Sequence, residues 1–501
     1  MSPLSHRLVV VSNRLPIVLE KKEGSWTLKP GSGGLVSALA PVLSHRGGLW
    51  IGWPGLPLDK GGSWEGVLAA GYRERGYDLG PVLLSEEEVK GFYEGFSNAI
   101  LWPLFHDLLG RCNFEPSFWY AYLTVNRKFA DCVLEQSRED DFIWVQDYQL
   151  IHVAHFVREQ TQEPRRIGFF LHIPFPPLDI FIKLPWRAQI LNALLAYDLL
   201  GFQTPRDSRN FLTCLRHLAQ EIDIEDDGPL SRVRMGNRTV DVGAFPIGID
   251  YGSFEEGARS PEVESRLQDL RHRIGPAHLI VGVDRLDYTK GLPERLEAFR
   301  NALQRYPELR EKVILFQIVV PSREGVPEYQ ALKAHMERLV GEINGEFSAA
   351  GWVPVQYHYK SLVRRDLLSL YRMARACFVT SIKDGMNLVA KEFCACQLDR
   401  CGVLILSEFA GAAAQLQRGA LLVNPHDIEG MADAIQQAVG MDEAERRRRM
   451  ESMQSILREQ DIFWWVDHYL QAALGSVPHD FRTPKEYFPP LVLDAVLMEE
   501  S

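Results

Sequence analysis

The fold is decided by the stretch Ala376-Cys377-Phe378-Val379-Thr380-Ser381 and, shortly after it, Asp384-Gly385-Met386-Asn387-Leu388-Val389-Ala390-Lys391-Glu392. The first part is an uninterrupted apolar run, which predicts a strand buried on both faces. The second part opens with a polar residue and a glycine and continues with helical spacing. The backbone N–H groups of a first helical turn are unpaired and the helix dipole is positive there, so this turn predicts an anion-binding site.

The two carboxylates of this stretch allow a second interpretation. Glu392 lies about two helical turns beyond Asp384, so both side chains can address one bound molecule. Alternatively, Asp384 is an N-cap residue and Glu392 is a solvated side chain. The rest of the chain has to decide between these interpretations.

Working outward, apolar runs and helical segments alternate through the 501 residues. This alternation predicts an α/β fold with parallel sheets covered by helices. The length exceeds what one core usually supports, so we expect two Rossmann-like domains facing a cleft. The expected limits are 1–250 and 251–475, with a last long helix at 451–474 that packs back toward the first domain, and an irregular tail at 476–501. The strand candidates are residues 8–12, 142–145, 167–171, 199–202, 279–283, 313–320, 378–381, 403–407 and 421–423.

Composition narrows the class of partner. The net charge of −11 argues against nucleic acid or an anionic membrane, and 46% hydrophobic with 24% charged residues is typical of a soluble globular protein. The seven cysteines are odd in number and several lie in apolar runs, which favours buried thiols in a reducing compartment. No signal peptide or membrane span is evident, so we expect a cytoplasmic protein.

The segment Gly31-Ser32-Gly33-Gly34 resembles a dinucleotide-binding loop but fails the test for one. Val36 stands where that motif requires its last glycine, and the loop after the first strand is too long. The glycines can instead let the backbone close over a phosphate or a sugar. A plain loop is an equally good interpretation of this segment alone.

Three cations follow two neighbouring strands of the second half. Arg285 and Lys290 come after the strand at 279–283, and Arg323 comes after the strand at 313–320. Since the carboxyl ends of parallel strands share one edge of the sheet, these side chains can converge on a diphosphate. The alternative is a surface salt-bridge cluster with Asp284 and Asp287.

The first half offers polar residues at equivalent places. Arg14 follows the first strand, Asp147 follows the strand at 142–145, and His172 follows the strand at 167–171. A lone histidine at a strand end is more often structural than catalytic. The prolines that come directly after His172 do fix its position, as a catalytic group requires.

Four aromatic residues are candidates for a sugar platform. Trp50, Trp53, Tyr93 and Trp102 are expected to lie outside regular strands, where such rings commonly stack on sugars. Simple packing is an equally frequent role.

Taken together, these residues resemble the trehalose-6-phosphate synthases, which are retaining sugar-nucleotide transferases of GT-B fold in glycosyltransferase family 20. The resemblance extends from residue 9 to about residue 470. Its motifs include Gly47-Gly48-Leu49-Trp50-Ile51-Gly52-Trp53, Gly168-Phe169-Phe170-Leu171-His172-Ile173-Pro174, Arg285-Leu286-Asp287-Tyr288-Thr289-Lys290-Gly291, Asp384-Gly385-Met386-Asn387-Leu388-Val389 and Leu406-Ser407-Glu408-Phe409-Ala410-Gly411-Ala412.

The resemblance implies a set of donor residues. Arg285 and Lys290 would clamp the donor diphosphate, Gly34 would close over it, and Glu392 would bind the ribose. His172 would lie beside the reacting sugar. The transferred glucose would be held by Asp384 and by the backbone amides of the residues after it, namely Gly385, Met386, Asn387, Leu388 and Val389. The residues implied in catalysis are His172, Arg285, Lys290 and Asp384.

The resemblance also implies an acceptor pocket and a reaction. The acceptor phosphate would contact Arg14, Tyr93, Trp102 and Arg323, with Trp50 nearby, and Asp147 would bind acceptor hydroxyls. Glucose would pass from a nucleoside diphosphate glucose, UDP-glucose by default, to glucose 6-phosphate with its α configuration kept. No cofactor and no essential metal are implied. The partners would be these small molecules, without nucleic acid or membrane, and a homo-oligomer is left open.

One motif departs from the family pattern. The segment that commonly reads His-Asp-Tyr-His-Leu is here Gln146-Asp147-Tyr148-Gln149-Leu150, so both flanking histidines are replaced by side chains that do not titrate near neutral pH. This leaves glycerol 3-phosphate as an alternative acceptor. A catalytically silent sugar-phosphate sensor is a further alternative, although such a protein is expected to lose the clamp residues.

Overall fold

The computed structural model describes residues 6–22, 25–31, 34–56, 64, 66–67, 76–161, 163–226, 228–323, 326–475 and 486–487. They fall into two units. The first holds the described residues of Met1–Glu264, Lys383–Leu398 and Gln454–Thr483, and the second holds those of Ser265–Ile382, Asp399–Met453 and Pro484–Ser501. The domain limits predicted at residues 250 and 475 stay predictions. Apart from residues 486–487, the tail predicted to be irregular lies outside the described residues.

The sheet of the first unit is built around a strand with both faces buried. From Leu8 to Asn13 every residue of this strand is buried, as its apolar run predicts. The described strands of the unit are β1 (Leu8–Arg14), β2 (Ile17–Lys22), β3 (Ser25–Pro30), β4 (Leu49–Trp53), β5 (Asp78–Pro81), β6 (Phe142–Gln146), β7 (Arg166–Phe170), β8 (Leu199–Phe202), β9 (Asp223–Glu225), β10 (Ser231–Met235) and β11 (Arg238–Ala244).

The order of these strands is β5-β4-β1-β6-β7-β8-β11-β10-β9, and β2 and β3 form a separate antiparallel hairpin. The neighbours from β5 to β11 run parallel, whereas β10 is antiparallel to β11 and to β9. The first six positions have the 3-2-1-4-5-6 order of a Rossmann sheet, which reverses direction between β1 and β6.

Helices cover the strands of this unit. The described helices are Gly34–Arg46, Glu86–Glu88, the π-helix Val89–Leu101, Trp102–Phe105, Leu109–Arg111, Pro116–Gln136, Tyr148–Leu150, Val153–Gln160, Leu178–Phe181, Arg187–Leu194, Pro205–Leu218, Tyr251–Arg259, Leu388–Cys396 and Ile462–Ala473.

The second unit repeats the same strand order. Its strands β12 (His278–Arg285), β13 (Val313–Val320), β14 (Val355–Tyr359), β15 (Ala376–Val379), β16 (Val403–Ser407) and β17 (Leu421–Val423) form a parallel sheet in the order β14-β13-β12-β15-β16-β17. This sheet reverses between β12 and β15. The unit's helices are Tyr288–Lys290, Leu292–Arg305, Pro307–Leu309, Pro327–Phe347, Arg364–Met373, Ala413–Leu416 and Ile428–Gly440, and the helices Pro261–Ile274 and Glu443–Glu459 contain residues of both units.

Two sequence-based expectations about elements are wrong. Trp50 and Trp53 lie inside β4 rather than outside a strand. The single helix predicted over 451–474 is two helices, because Asp461 interrupts it. The Asp461 carboxylate accepts the N–H of Trp464 at 2.8 Å and thereby caps a new helix, Ile462–Ala473.

Aromatic rings form the centre of the first unit's core. Trp144 on β6 is stacked on Tyr469 with ring centroids 4.3 Å apart, and it lies 4.9 Å from the ring of Trp465. The Tyr469 hydroxyl donates to the carbonyl oxygen of Phe169 at 3.0 Å. The helix Ile462–Ala473 is therefore fixed against the strands of the first sheet by stacking and by a buried hydrogen bond.

The described residues contain no helix that is both long enough and apolar enough to cross a membrane. All seven cysteines are free thiols, and Cys394 and Cys396 are buried in the helix Leu388–Cys396. They are buried, as the apolar runs that contain several of the cysteines predict.

Trp144→Ala is expected to lower the free energy of unfolding by about 3–5 kcal/mol, because the fully buried ring leaves a cavity against two other aromatic rings. Urea unfolding followed by circular dichroism measures this change. The control is Tyr120→Ala in the same unit, where the side chain is 68% exposed and a change below about 0.5 kcal/mol is expected. Equal unfolding midpoints for the two variants would contradict the central role of Trp144.

Candidate functional site

Arg14 leaves the end of β1, at the reversal point of the first sheet. Its guanidinium lies 4.3 Å from the ring centroid of Trp53 and 5.7 Å from that of Tyr93. Its Nη1 donates to the carbonyl oxygen of Gly55 at 3.5 Å, and a Cβ on Gly55 would overlap that nitrogen. The aromatic rings thus hold an exposed cation in place, and an anionic ligand can reach it.

Trp50 does not offer its ring to a ligand. Its side chain is fully buried, and the indole N–H donates to Ser12 Oγ at 2.7 Å. Ser12 Oγ in turn donates to the carbonyl oxygen of Arg14 at 2.7 Å. The expected contact of Trp50 with the acceptor is therefore corrected: Trp50 supports the backbone of Arg14 from inside the sheet.

Tyr93 and Trp102 lie on and directly after the π-helix Val89–Leu101. This form of helix is rare and frequently occurs at functional sites. Trp102 packs 5.8 Å from the ring of Tyr148, whose hydroxyl donates to Asn98 Oδ1 at 2.9 Å. The two aromatic residues are therefore held by a rigid element rather than by a loop.

Asp147 follows β6 in a strained backbone conformation, with φ +75°. Its Oδ1 accepts the backbone N–H of His172 at 3.1 Å, and its own N–H donates to the carbonyl oxygen of Phe170 at 2.8 Å. Positive φ in a residue other than glycine is costly and concentrates at functional sites. The structure brings Asp147 and His172 together, as their places at adjacent strand ends predict.

The imidazole of His172 is bonded on both sides. Nε2 lies 2.8 Å from Gln146 Oε1, and Nδ1 lies 3.3 Å from Gln203 Nε2. Burial lowers the pKa of His172 to about 3, so the ring is neutral at neutral pH. The role of Gln203 could not be predicted from sequence, because it depends on a partner 31 residues away.

The backbone of Gly385 lies against His172. A Cβ at Gly385 would overlap the carbonyl oxygen of His172, so the position accepts only glycine. The N-cap interpretation of Asp384 is wrong. Asn387 caps the helix Leu388–Cys396 by accepting the N–H of Ala390 at 3.0 Å, and Asp384 Oδ2 accepts the side-chain N–H of Asn387 at 3.2 Å.

Glu392 lies on the same helix and is partly exposed. Its neighbour Lys391 is fully buried, and its Nζ donates to the carbonyl oxygen of Ile247 at 2.6 Å. Burial lowers the pKa of Lys391 to about 7. Gly34 begins the helix Gly34–Arg46, while residues 32 and 33 of the glycine segment lie outside the described residues.

In the second unit, a buried carboxylate lies between two of the predicted cations. Asp287 Oδ2 is 3.9 Å from Arg285 Nη2 and 3.7 Å from Arg323 Nη1. Burial opposes ionisation of Asp287, but Arg323, Arg285 and Lys290 outweigh it and hold the pKa of this carboxyl below its usual value. Arg323 also donates to the Tyr329 hydroxyl. Half of the Arg285 side chain stays exposed, at 49%, so its charge is available to a ligand.

Arg295 ties the strand ends beneath this cluster together. It is fully buried and donates to Asp284 Oδ2 at 2.7 Å, Gln317 Oε1 at 3.1 Å and Thr380 Oγ1 at 3.0 Å. These partners lie on β12, on β13 and just after β15. The expectation of a salt bridge for Asp284 is thus met inside the sheet, with Arg295, rather than at the surface.

Asp287→Asn is expected to destabilise the second unit by about 3–5 kcal/mol at neutral pH, because it removes the charge between two buried or half-buried arginines. The folded pKa lies below the unfolded one, so this stabilisation is present above the ordinary carboxyl pKa and is lost as the pH falls through the folded value. Urea unfolding at several pH values should show the gap between wild type and variant narrowing below about pH 4.

The control for that experiment is Asp433→Asn, which breaks the exposed pair with Arg305. A surface pair contributes about 0–1 kcal/mol, with little dependence on acid pH. A gap of the same size for both variants would show that Asp287 carries no special charge interaction.

Comparison with known proteins shows the family of this chain. Glycosyltransferase family 20 matches residues 6–474. A trehalose-6-phosphate synthase from Mycobacterium tuberculosis (strain ATCC 25618 / H37Rv) is 42% identical over 476 residues, which cover 94% of this chain and 95% of the relative. An α,α-trehalose-phosphate synthase (UDP-forming) from Burkholderia xenovorans, in complex with glucose-6-phosphate, is 36% identical with a TM-score of 0.84, covering 94% of this chain and all of that one.

A solved structure from E. coli, bound with UDP-2-fluoro glucose, is 36% identical with a TM-score of 0.83 and the same coverage. These neighbours and the two sheets, whose Rossmann-ordered strands run parallel, confirm the predicted GT-B fold class. The match extends over nearly the whole chain, and the chain belongs to glycosyltransferase family 20.

Proposed function

We infer that the chain transfers glucose from UDP-glucose to glucose 6-phosphate, releasing UDP and forming α,α-trehalose 6-phosphate. This inference rests on the similarity of 94% of the chain to trehalose-6-phosphate synthases. One of the similar structures contains glucose-6-phosphate, and another contains UDP-2-fluoro glucose, an analogue of UDP-glucose. The described cations at the strand ends suit two phosphorylated substrates. Neither the glycerol 3-phosphate acceptor nor the silent sensor finds support in these relatives.

For the donor, we propose that Arg285 and Lys290 bind the diphosphate. About half of the Arg285 side chain is exposed to solvent, and its ion pair with Asp287 holds the guanidinium in position. Lys290 ends a short helix, Tyr288–Lys290, and is followed by Gly291 at φ +60°, where a Cβ would overlap the Thr380 carbonyl oxygen. Two fixed cations at one strand end supply the charge that a departing diphosphate needs.

For the transferred glucose, we propose Asp384 and the backbone amides from Gly385 to Val389. Asn387 orients the Asp384 carboxylate and also caps the helix that follows. Glu392, on the exposed side of that helix, is proposed to bind the ribose, and Gly34 at a helix start is proposed to approach the diphosphate.

For the acceptor, we propose that Arg14, Tyr93, Trp102 and Arg323 bind the phosphate and that Asp147 binds sugar hydroxyls. Arg14 is held on aromatic rings and the Asp147 carboxylate is fixed by a backbone N–H, so both are oriented before a ligand arrives. Trp50 contributes only by supporting Arg14.

The proposed chemistry needs no protein nucleophile. The bond from the glucose anomeric carbon to the UDP oxygen breaks, and a bond to the anomeric oxygen of glucose 6-phosphate forms on the same face, so the α configuration is kept. The acceptor hydroxyl gives its proton to the leaving phosphate. His172, a catalytic residue in this proposal, is neutral and bonded at both nitrogens, and so contributes shape and polarity rather than a proton. Positioning and cationic stabilisation then supply the acceleration.

A cytoplasmic location remains a proposal, supported by seven free thiols. Assembly into a homo-oligomer stays a prediction.

A direct product assay tests the function. The purified chain is incubated with UDP-, ADP- or GDP-glucose and with glucose 6-phosphate or glycerol 3-phosphate, and the product is identified by mass and by anomeric NMR coupling. The expected product is α,α-trehalose 6-phosphate with UDP-glucose as donor.

The same amount should form with excess EDTA, because arginine and lysine rather than a divalent metal are proposed to bind the diphosphate. If product forms only with glycerol 3-phosphate, the proposed acceptor is wrong. If EDTA abolishes the reaction and Mg²⁺ restores it, the proposal that no metal is needed is wrong.

Arg285→Ala is expected to lower kcat by roughly 100- to 1,000-fold, because it removes a charge-assisted contact to the developing anion. Arg338→Ala in the same unit is the control, since that side chain is 58% exposed and pairs within its own helix. Both variants should remain folded at the assay temperature, which thermal unfolding checks, although Arg285→Ala also loses the pairing with Asp287. Near-normal turnover of Arg285→Ala would remove Arg285 from the diphosphate site.

A further inference from the structure

A chain of directed hydrogen bonds in the first unit begins at a backbone amide and ends at Gln146. The N–H of Ile247, which can only donate, lies 3.0 Å from Gln203 Oε1. Gln203 therefore presents its Nε2 to His172 Nδ1, 3.3 Å away, and this ring nitrogen must accept. The ring proton is then on Nε2, which donates to Gln146 Oε1 at 2.8 Å. One backbone amide thus decides the tautomer of His172.

We propose that Gln146 is a positioning residue that, together with Gln203, holds His172 as the neutral Nε2–H tautomer for glucose transfer. This inference rests on the proposed function, because that proposal puts the reacting sugar beside His172. Gln146 stands where the family pattern commonly has a histidine. A glutamine forms the same hydrogen bond but does not gain a proton near neutral pH, so it keeps the neighbouring imidazole in one state.

The environment of Gln146 favours a functional role over packing. Its side chain is fully buried at the end of β6, and its Nε2 has no hydrogen-bond partner among the residues that the structure describes. An apolar side chain would fill the same space without burying an unpaired donor. Packing alone therefore does not explain why a glutamine stands here. The hydrogen bond that its carbonyl oxygen accepts from His172 does.

The charged groups of the neighbouring segments do not bond to the ring nitrogens of His172. The Asp147 carboxylate accepts the backbone N–H of His172 rather than a ring N–H. Asp384 precedes Gly385, whose backbone lies at the His172 carbonyl, and Lys391 donates to the carbonyl oxygen of Ile247. The imidazole also packs against two tilted aromatic rings, with its centroid 4.7 Å from that of Phe170 and 6.1 Å from that of Trp465. Both ring nitrogens consequently meet uncharged amides, which leaves the imidazole neutral.

The variant Gln146→Glu tests this arrangement, because it keeps the shape and places a carboxylate at the ring N–H, which favours the imidazolium form. The first measurement is the ¹⁵N shift of His172 in histidine-labelled protein without substrate, assigned by the loss of its signal in His172→Asn. In wild type we expect one neutral tautomer that does not titrate between about pH 5 and 8. In Gln146→Glu we expect a titration in that range.

The second measurement is the pH profile of kcat/KM for glucose 6-phosphate. In Gln146→Glu it should fall about tenfold per pH unit below the new titration, because only the neutral ring is competent. The control Gln149→Glu introduces the same carboxylate at the other glutamine of this segment, and its His172 signal should not titrate. A residue with a merely structural role would change stability but neither the ¹⁵N titration nor the shape of the profile.

Three results would overturn the inference: an Nδ1–H tautomer in wild type, a wild-type His172 that titrates between about pH 5 and 8, or an unchanged ¹⁵N signal in folded Gln146→Glu. If the expected ¹⁵N signals appear but no trehalose 6-phosphate is made, the tautomer assignment stands and the proposed function fails. The NMR arm therefore separates the two proposals.

Discussion

Both sheets depend on one constraint, which is that parallel strands buried on two faces all end at the same edge. Where the strand order reverses, the connections that follow two neighbouring strands run toward opposite edges of the sheet. The carboxyl ends of these two strands are therefore not covered by a connecting helix. In the first sheet this happens between β1 and β6, and Arg14 and Asp147 follow those strands. In the second it happens between β12 and β15, where Arg285 ends β12. The candidate site residues named above lie at these uncovered strand ends.

The strands that could be predicted from sequence are those whose apolar runs are sharply bounded. β8, β13, β16 and β17 begin and end at the residues predicted for them, because continuous apolar runs indicate strands with both faces covered. β4 could not be recognised, since its tryptophans and glycine match no strand pattern and its status depends on pairing with β1. The break at Asp461 was missed because helical spacing continues across it.

For the candidate site, sequence predicted which side chains gather at strand ends but not how they are supported. Arg285 and Arg323 were found as strand-end cations, whereas the buried position of Asp287 between them follows from three-dimensional packing. Arg295 was not identified at all, because nothing in its helix indicates that a fully buried arginine meets three strands. Polar residues inside apolar runs, such as Gln317 in β13, were the available signal. Such residues indicate that a buried hydrogen-bond network exists, but they do not identify the side chains with which they bond.

The π-helix Val89–Leu101 has a consequence for how this chain can change its side-chain contacts. In an α-helix residues i and i+4 share a face, whereas π hydrogen bonds bring i and i+5 into line. Tyr93 beside Arg14 and Asn98 beneath Tyr148 are such a pair. Removing one residue between Tyr93 and Asn98 would restore α geometry and rotate one of these side chains away from its partner. Both residues would still be present in the sequence. A length change in this segment is therefore as consequential as a substitution, and sequence comparison by residue identity alone would overlook it.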